Sequence, residues 1–103
     1  MVHTDFPYEL FKSSAFDRWF KGLKDIRARA RIAIRLDRLA RGNSGDSKRV
    51  GPSVGELRID YGPGYRVYFT QRGPVIVLLC GGDKRTQAAD IRRAIAIAKE
   101  WWN

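Results

Sequence analysis

The chain has 103 residues, of which 44% are hydrophobic and 12% aromatic, so its composition suits one folded domain and argues against a disordered chain. Lys and Arg number 20 against 11 Asp and Glu, and the net charge of +9 indicates a polyanion partner, although a basic protein without one fits the same numbers. A single cysteine excludes an intrachain disulfide, and we find neither a membrane-spanning run nor a signal peptide. We therefore expect one cytoplasmic domain over residues 1–103, away from membranes.

The start of the chain predicts a short strand followed by a helix. The strand is expected over Phe6–Phe11, and Pro7 restricts it to a sheet edge or to a late start. Ser13 or Ser14 can cap the helix. Its apolar face has helical spacing and consists of Phe16, Trp19, Phe20 and Leu23.

A second helix is predicted over Asp25–Ala40, and it has two distinct faces. The face expected to pack in the core carries Ala28, Ile32, Leu36 and Leu39. A basic face carries Lys24, Arg27, Arg31, Arg35 and Arg38. Few acidic residues lie close enough in sequence to pair with them, so this face is either a surface for a polyanion or simply solvated.

The remainder of the chain predicts a polar loop, a three-stranded meander and a last helix. The loop is expected over Asn43–Arg49, and the helix starts at Asp83 or Thr86 and runs to about Trp102. The strands, which are separated by glycine- and proline-containing turns, are Glu56–Tyr61, Tyr65–Gln71 and Val75–Cys80. This order predicts an α+β fold with the helices over one face of the sheet.

The other face of the meander is expected to be open. Alternation along the strands places Glu56, Arg58, Arg66 and Tyr68 on it, and charged groups are costly to bury. An open sheet face with these side chains is a candidate active surface.

The residue types exclude several reaction classes. His3 is the only histidine, so a histidine pair and the Ser-His-Asp and Cys-His arrangements are excluded, and there is no Cys or His cluster for zinc. We therefore expect neither a metal nor a cofactor.

The remaining set, which is Glu56, Arg58, Arg66 and Lys84, suits metal-free cleavage of an RNA phosphodiester. Glu56 can accept the 2′-hydroxyl proton, Arg66 can bind the phosphoryl oxygens, and Lys84 or Arg58 can support the leaving oxygen. Cross-strand ion pairing of Glu56 with an arginine is the structural alternative.

Several segments, in order over residues 5–100, resemble the RelE/ParE superfamily of toxins in its HigB-like "addiction module killer" branch. The two most specific are Glu56–Ile59 (ELRI) followed by Tyr65–Phe69 (YRVYF), and Gly81–Gln87 (GGDKRTQ). The others are Phe16–Asp25, Gly42–Lys48 and Val54–Gly55.

The resemblance implies a small RelE-like fold and a toxin encoded beside its antitoxin. Many members enter the ribosomal A site and cut the bound mRNA, which inhibits translation and arrests growth. Their acidic residue in the second strand matches Glu56, their arginine in the third matches Arg66, and their basic cluster after the last strand matches Lys84 with Arg85. Arg58 matches a position that is often arginine. The residues expected to contact RNA are Arg27, Arg31, Arg35, Arg38, Lys48, Tyr68 and Arg85.

The chain departs from the family pattern because no His or Tyr follows its last predicted strand. If a base must be stacked, Tyr68 or Tyr61 has to do it.

The expected partners are a small DNA-binding antitoxin, the ribosome and mRNA. Two alternatives remain: a ParE-like inhibitor of DNA gyrase, and a nucleic-acid-binding module without catalysis. A gyrase inhibitor has no need of a general base, and a binding module would not arrest growth.

Overall fold

A computed structural model describes residues 7–103, so the expectations for His3 and Phe6 lie outside the described part. The α+β expectation is confirmed, with a mixed five-stranded sheet and three α-helices in that part. The elements are β1 (Glu9–Lys12), α1 (Ser14–Gly22), α2 (Ile26–Ala40), β2 (Ser47–Gly51), β3 (Val54–Ile59), β4 (Tyr65–Arg72), β5 (Val75–Asp83), a 3₁₀ turn (Lys84–Thr86) and α3 (Gln87–Trp101). The strand order is β1-β5-β4-β3-β2.

The first strand starts after Pro7 and lies at a sheet edge, as its composition predicts. It pairs in parallel with β5, from Glu9 opposite Val75 onwards, which makes the sheet mixed. Ser13 then begins α1: its hydroxyl accepts a hydrogen bond from the Phe16 amide over 3.0 Å. The same hydroxyl donates to the carbonyl of Leu79 in β5 over 2.6 Å, so the cap also fixes α1 to the sheet.

Helices α1 and α2 pack on one face of the sheet. Asp25 caps α2 by accepting hydrogen bonds from the amides of Arg27 and Ala28. All four residues predicted for the apolar face of α2 are buried. The core on this side is formed by Phe16, Ile32, Leu36, Leu39, Leu57, Ile59, Val67, Ile76 and Leu78.

The prediction of a polar loop over Asn43–Arg49 is wrong in its second half, because β2 begins at Ser47. This strand pairs antiparallel with β3, and its register shifts between Arg49 and Gly51. It lies at the second edge of the sheet, where Lys48 and Arg49 are exposed. Polar side chains are tolerated at such an edge, so no apolar alternation marks the strand.

The expectation of an open second sheet face is also wrong. Helix α3 packs there, so the sheet has helices on both faces. The core on this side is formed by Val54, Tyr68, Val77, Leu79, Cys80, Ala94 and Ala98. Consecutive residues Leu79 and Cys80 share this face because β5 has an irregularity opposite Tyr68 and Phe69.

Strand β5 continues through the glycine pair at which it was predicted to end. A Cβ on Gly81 would lie 2.2 Å from the Trp19 ring, and a Cβ on Gly82 would lie 1.8 Å from Oδ2 of Asp90. Trp19 belongs to α1 and Asp90 to α3, so the two glycines allow helices on opposite faces to approach the same point of the strand.

None of the helices within residues 7–103 combines the length and the apolar character needed to span a bilayer.

Candidate functional site

The carboxylate of Glu56 lies at the centre of a buried polar cluster beneath α3. Its side chain has no exposed surface. Gln87 donates from Nε2 to Oε2 over 2.7 Å, and the Tyr68 hydroxyl donates to the same oxygen over 3.1 Å. Arg58 donates from Nε to Oε1 over 3.2 Å, and Nε of Arg66 lies 3.8 Å from Oε2. Strands β3 and β4 and the start of α3 therefore converge on one carboxylate.

This environment keeps Glu56 ionised. Burial raises the pKa of its carboxyl, but hydrogen bonds from Gln87, Arg58 and Tyr68, together with the charge of Arg66, outweigh burial and hold the pKa below its ordinary value. Burial and the neighbouring carboxylate raise the pKa of the Tyr68 hydroxyl well above its ordinary range. The cluster therefore holds a buried anion beside two guanidinium groups.

Arg66 has its side chain 11% exposed and carries an unsatisfied donor. Its Nη1 donates weakly to the carbonyls of Gly64 and Tyr65, over 3.4 and 3.5 Å. Its Nε is buried without a hydrogen-bond partner. A buried N–H without a partner costs about 1–3 kcal/mol, and the charge of Glu56 at 3.8 Å offsets part of that cost.

Lys84 approaches Arg66 at the turn between β3 and β4. Gly64 separates them, since a Cβ there would lie 3.6 Å from Nη1 of Arg66 and 3.7 Å from Cδ of Lys84. The φ of this glycine is +81°. A side chain at this position would be strained and would fill the space between the two basic residues.

Arg58 extends the cluster towards solvent, with its side chain 34% exposed. Its Nη1 lies 3.9 Å from Oδ1 of Asp46 in the loop before β2. Lys48 is the cross-strand partner of Glu56 in β2 and is exposed. The structure thus brings Glu56, Arg58, Arg66 and Tyr68 together, with Lys84 and Lys48 at the margins of the same set.

The expectation that Tyr68 stacks on an RNA base is not met in this structure. Tyr68 is fully buried in the core beneath α3, and its hydroxyl is bonded to Glu56. Tyr61 is partly exposed, but Arg31 covers its ring at 4.7 Å from the centroid and its hydroxyl donates to Asp25.

Gln87 is the member of the cluster that sequence reasoning missed. It is the first residue of α3 and makes the shortest of the hydrogen bonds to Glu56. Gln87 is the last residue of the Gly81–Gln87 motif, and that position was the available signal. Only the basic residues of the motif were considered as site residues.

The basic face of α2 lies outside this cluster, on the helix layer over the opposite face of the sheet. Arg27, Arg31 and Arg38 are exposed, as the prediction of a polar face requires. Arg35 behaves differently: its guanidinium donates to the carbonyls of Ser44 and Asp46, each over 3.0 Å, and to that of Arg58. Arg35 therefore fastens the loop before β2 and has little capacity for RNA.

Arg85 is the last of the predicted RNA contacts and is strongly exposed. It forms an ion pair of 3.3 Å with Asp83, and Asp83 also caps the 3₁₀ turn by accepting a bond from the Arg85 amide. This ion pair leaves the guanidinium at the surface beside Lys84.

Within residues 7–103 there is no group of three or more His, Cys, Asp and Glu side chains that could hold a metal ion.

Comparison with known proteins gives one clear relationship. A protein of Haemophilus influenzae strain KW20 is 52% identical over 86 residues, which are 82% of this chain and 87% of that protein. The chain belongs to the family of that protein. The relative is described only as an uncharacterized protein. No protein-family model matches the chain.

Proposed function

We propose that this chain is the toxin of a type II toxin–antitoxin pair, of the RelE/ParE superfamily, and that it cleaves mRNA on the ribosome without a metal ion. The observation that carries the proposal is the buried carboxylate of Glu56 beside Arg66, whose Nε has no partner, with Arg58 and Lys84 at the rim. The α+β architecture supports it, because the resemblance implies a small α+β fold.

In the proposed reaction, the 2′-oxygen of the RNA attacks the adjacent phosphorus and the bond from phosphorus to the 5′-oxygen breaks. The products are a 2′,3′-cyclic phosphate and a 5′-hydroxyl. Arg66 and Arg58 stabilise the charge that grows on the phosphoryl oxygens, and Lys84 gives a proton to the leaving 5′-oxygen. Because Glu56 is fully buried and fully paired, we assign it the role of holding the arginines, and the 2′-hydroxyl proton passes to solvent water.

We infer that the partner is a small antitoxin with an acidic or amphipathic segment. The chain carries a net charge of +9, and its basic surface includes Arg85 and the four exposed arginines of α2. An acidic segment over Arg58, Arg66 and Lys84 would neutralise the cluster and exclude RNA from it.

The proposal is tested by expression of the chain alone in a bacterium. We expect growth arrest within the induction period, with new mRNA 5′ ends that carry a hydroxyl, and we expect the product of a neighbouring gene to restore growth. Mapping of mRNA 5′ ends before and after induction is the measurement. Normal growth with soluble, folded protein in the cells would contradict the toxin proposal.

Inhibition of DNA gyrase is the second candidate, and the burial of Glu56 favours it. A gyrase inhibitor needs no accessible general base, and no surface of this carboxylate is accessible. A supercoiling assay with purified chain separates the two candidates. Intact mRNA together with blocked supercoiling would contradict the nuclease and support a gyrase inhibitor. Intact mRNA with normal supercoiling and normal growth would support a nucleic-acid-binding module without catalysis.

The basic face of α2 is expected to contact ribosomal RNA phosphates. Arg27 and Arg38 are the residues to change, because Arg31 covers Tyr61 and Arg35 holds a loop. Reversal of both to Glu should reduce the slope of log affinity against log salt concentration by about two, one for each phosphate contact. Ribosome binding measured over a salt series is the test.

The matched control for that test is reversal of two exposed basic residues of α3, Arg92 and Lys99, which changes the net charge equally. If both pairs of reversals give the same slope, binding follows net charge alone and the α2 face is merely solvated.

A further inference from the structure

We propose that the outer edge of β1 is a self-association surface, to which a second copy of this chain adds its own β1 in antiparallel orientation. The two five-stranded sheets then form one continuous sheet, with a twofold axis at Phe11. This surface lies outside the cluster around Glu56, and the inference does not depend on the proposed cleavage of mRNA.

The two edges of the sheet differ in how well they are protected against a further strand. β2 forms one edge, carries exposed Lys48 and Arg49, and shifts its register between Arg49 and Gly51. Neighbouring positive charges and an irregular register are features that protect a sheet edge. β1 forms the other edge, pairs with β5 in a regular register and carries Phe11, which is 44% exposed. Within residues 7–103 no strand lies beyond β1, so this edge can accept a partner strand.

The hydrogen bonds to β5 determine which backbone groups of β1 point outwards. The amide of Glu9 donates to a carbonyl just before β5 over 2.8 Å, and the amide of Ser13 donates to a carbonyl within β5 over 2.9 Å. Alternate residues of a parallel strand bond to the same neighbour, so the backbone of Phe11 also faces β5. The amides and carbonyls of Leu10 and Lys12 therefore point away from the sheet.

These outward groups select one register for the second copy. In an antiparallel pair, two residues that exchange hydrogen bonds face each other, so Leu10 and Lys12 must face outward-pointing residues of the other strand. A centre at Leu10 or nearer the N-terminus needs the amide of Tyr8, which already donates to a carbonyl at the end of α2 over 3.3 Å. A centre at Lys12 opposes two ammonium groups and extends the pairing into α1, which begins at Ser14. With the centre at Phe11, Leu10 of each copy faces Lys12 of the other, and every outward group is paired.

The side chains suit the same register. Phe11 faces Phe11 of the second copy across a non-hydrogen-bonded pair, in which the Cα atoms are about 4.5 Å apart and the side chains are closest. An aromatic pair across two strands stabilises their association, and it covers ring surface that is exposed in the single chain. Lys12 can lay its aliphatic stem along Leu10, and Glu9 faces Ser13. The register therefore opposes no like charges.

The charge of the chain determines how the dimer depends on salt. Each copy carries a net charge of +9, so Coulomb repulsion between the copies opposes association. The twofold axis is normal to the sheet, so the α2 helices of both copies, with their exposed arginines, lie on the same side of it. Salt screens the repulsion, and the dimer should strengthen as the salt concentration rises. Binding of a polyanion has the opposite dependence.

Disulfide formation at position 11 tests the register directly. In Phe11→Cys the two new thiols of the dimer face each other, and mild oxidation should give a covalent dimer on a non-reducing gel. Lys12→Cys is the matched control: it is also exposed, but the two copies of position 12 are displaced by two residues, beyond the roughly 7 Å that a disulfide can bridge between Cα atoms. Cys80 is buried, which raises the pKa of its thiol to about 11, so it does not compete. Equal yields of covalent dimer from the two variants would overturn the register.

Sedimentation equilibrium over a concentration and salt series tests the association itself. Phe11→Glu places two carboxylates at the axis and should weaken association by about tenfold or more. Ile26→Glu is the matched control, because it makes the same change of charge at an apolar residue of α2 that is 77% exposed. If Phe11→Glu does not fold, Phe11→Thr takes its place, since threonine suits a strand and removes the aromatic pair. A wild-type chain that stays monomeric at every salt concentration, or a position 11 variant that associates as strongly as wild type, would contradict the inference.

Discussion

Replacement of Glu56 by glutamine is expected to lower the free energy of unfolding by about 3 kcal/mol at neutral pH. The substitution removes the negative charge that lies between Arg58 and Arg66 and leaves two guanidinium groups together in a largely buried place. The new side-chain NH2 also faces a donor in either orientation, Arg58 on one side or Gln87 and Tyr68 on the other, so at least one existing hydrogen bond must be lost. Chemical denaturation of both proteins measures the difference.

The difference between the two proteins should depend on pH in a defined direction. Because the pKa of Glu56 is lowered in the folded protein, its contribution to stability is present above its ordinary value of 4.5 and is lost as the pH falls through the folded-state pKa. The stability of wild type and of Glu56→Gln should therefore converge below about pH 4.5. Glu100→Gln on the exposed side of α3 is the matched control and should change stability very little.

The same variant separates two roles for the carboxylate. If Glu56 holds the arginines, loss of stability and loss of cleavage should accompany each other. A Glu56→Gln protein with unchanged stability and abolished cleavage would instead make Glu56 the general base of the reaction.

Replacement of Arg66 by alanine is expected to slow mRNA cleavage by at least about a hundredfold, which corresponds to roughly 3 kcal/mol of barrier. The guanidinium is the group assigned to the phosphoryl oxygens, and its Nη1 lies on the side of Gly64 and Lys84. Arg66→Lys should recover only part of the rate, because an ammonium group cannot make the planar bidentate contact. Single-turnover cleavage of ribosome-bound mRNA gives the rates, and the melting temperature reports whether each variant is folded.

Arg92→Ala is the control for that comparison, since it removes one positive charge from an exposed position of α3. A rate for Arg66→Ala close to the rates of wild type and Arg92→Ala would remove Arg66 from the mechanism.

The elements with a clear apolar period could be predicted from the sequence. The second helix was expected from Asp25, and Asp25 is its cap, with every predicted core residue of that helix buried. The strand β2 could not be recognised because its Ser47, Lys48 and Arg49 have the composition of a loop. It is a strand because it pairs antiparallel with β3. Local sequence carries little information on an edge strand that depends on its neighbour.

The sequence predicted that Glu56, Arg58, Arg66 and Tyr68 share one face of the sheet, but it predicted neither the burial of that face nor the part of Gln87. Charged residues on β3 and β4 were expected to keep their sheet face open, since a lone buried charge is costly. In the structure, hydrogen bonds from Arg58, Tyr68 and Gln87 offset the cost of burying the Glu56 carboxylate. Helix α3 can therefore cover it. The donor from α3 follows Glu56 by 31 residues, and no pattern within either segment indicates that they meet.

The parallel pairing of β1 with β5 has a consequence for the order in which a nascent chain can acquire structure. Glu9 is paired with Val75, and Ser13 is bonded to Leu78 and Leu79, so the first strand has no sheet partner until β5 has been synthesised. The carboxylate of Glu56 is likewise uncovered until Gln87 follows. Long-range contacts of this kind form late because the intervening loop must close first. In an incomplete chain on the ribosome, β1 is therefore unpaired and the cluster around Glu56 is not covered by α3. Both features form only when the last quarter of the polypeptide is made.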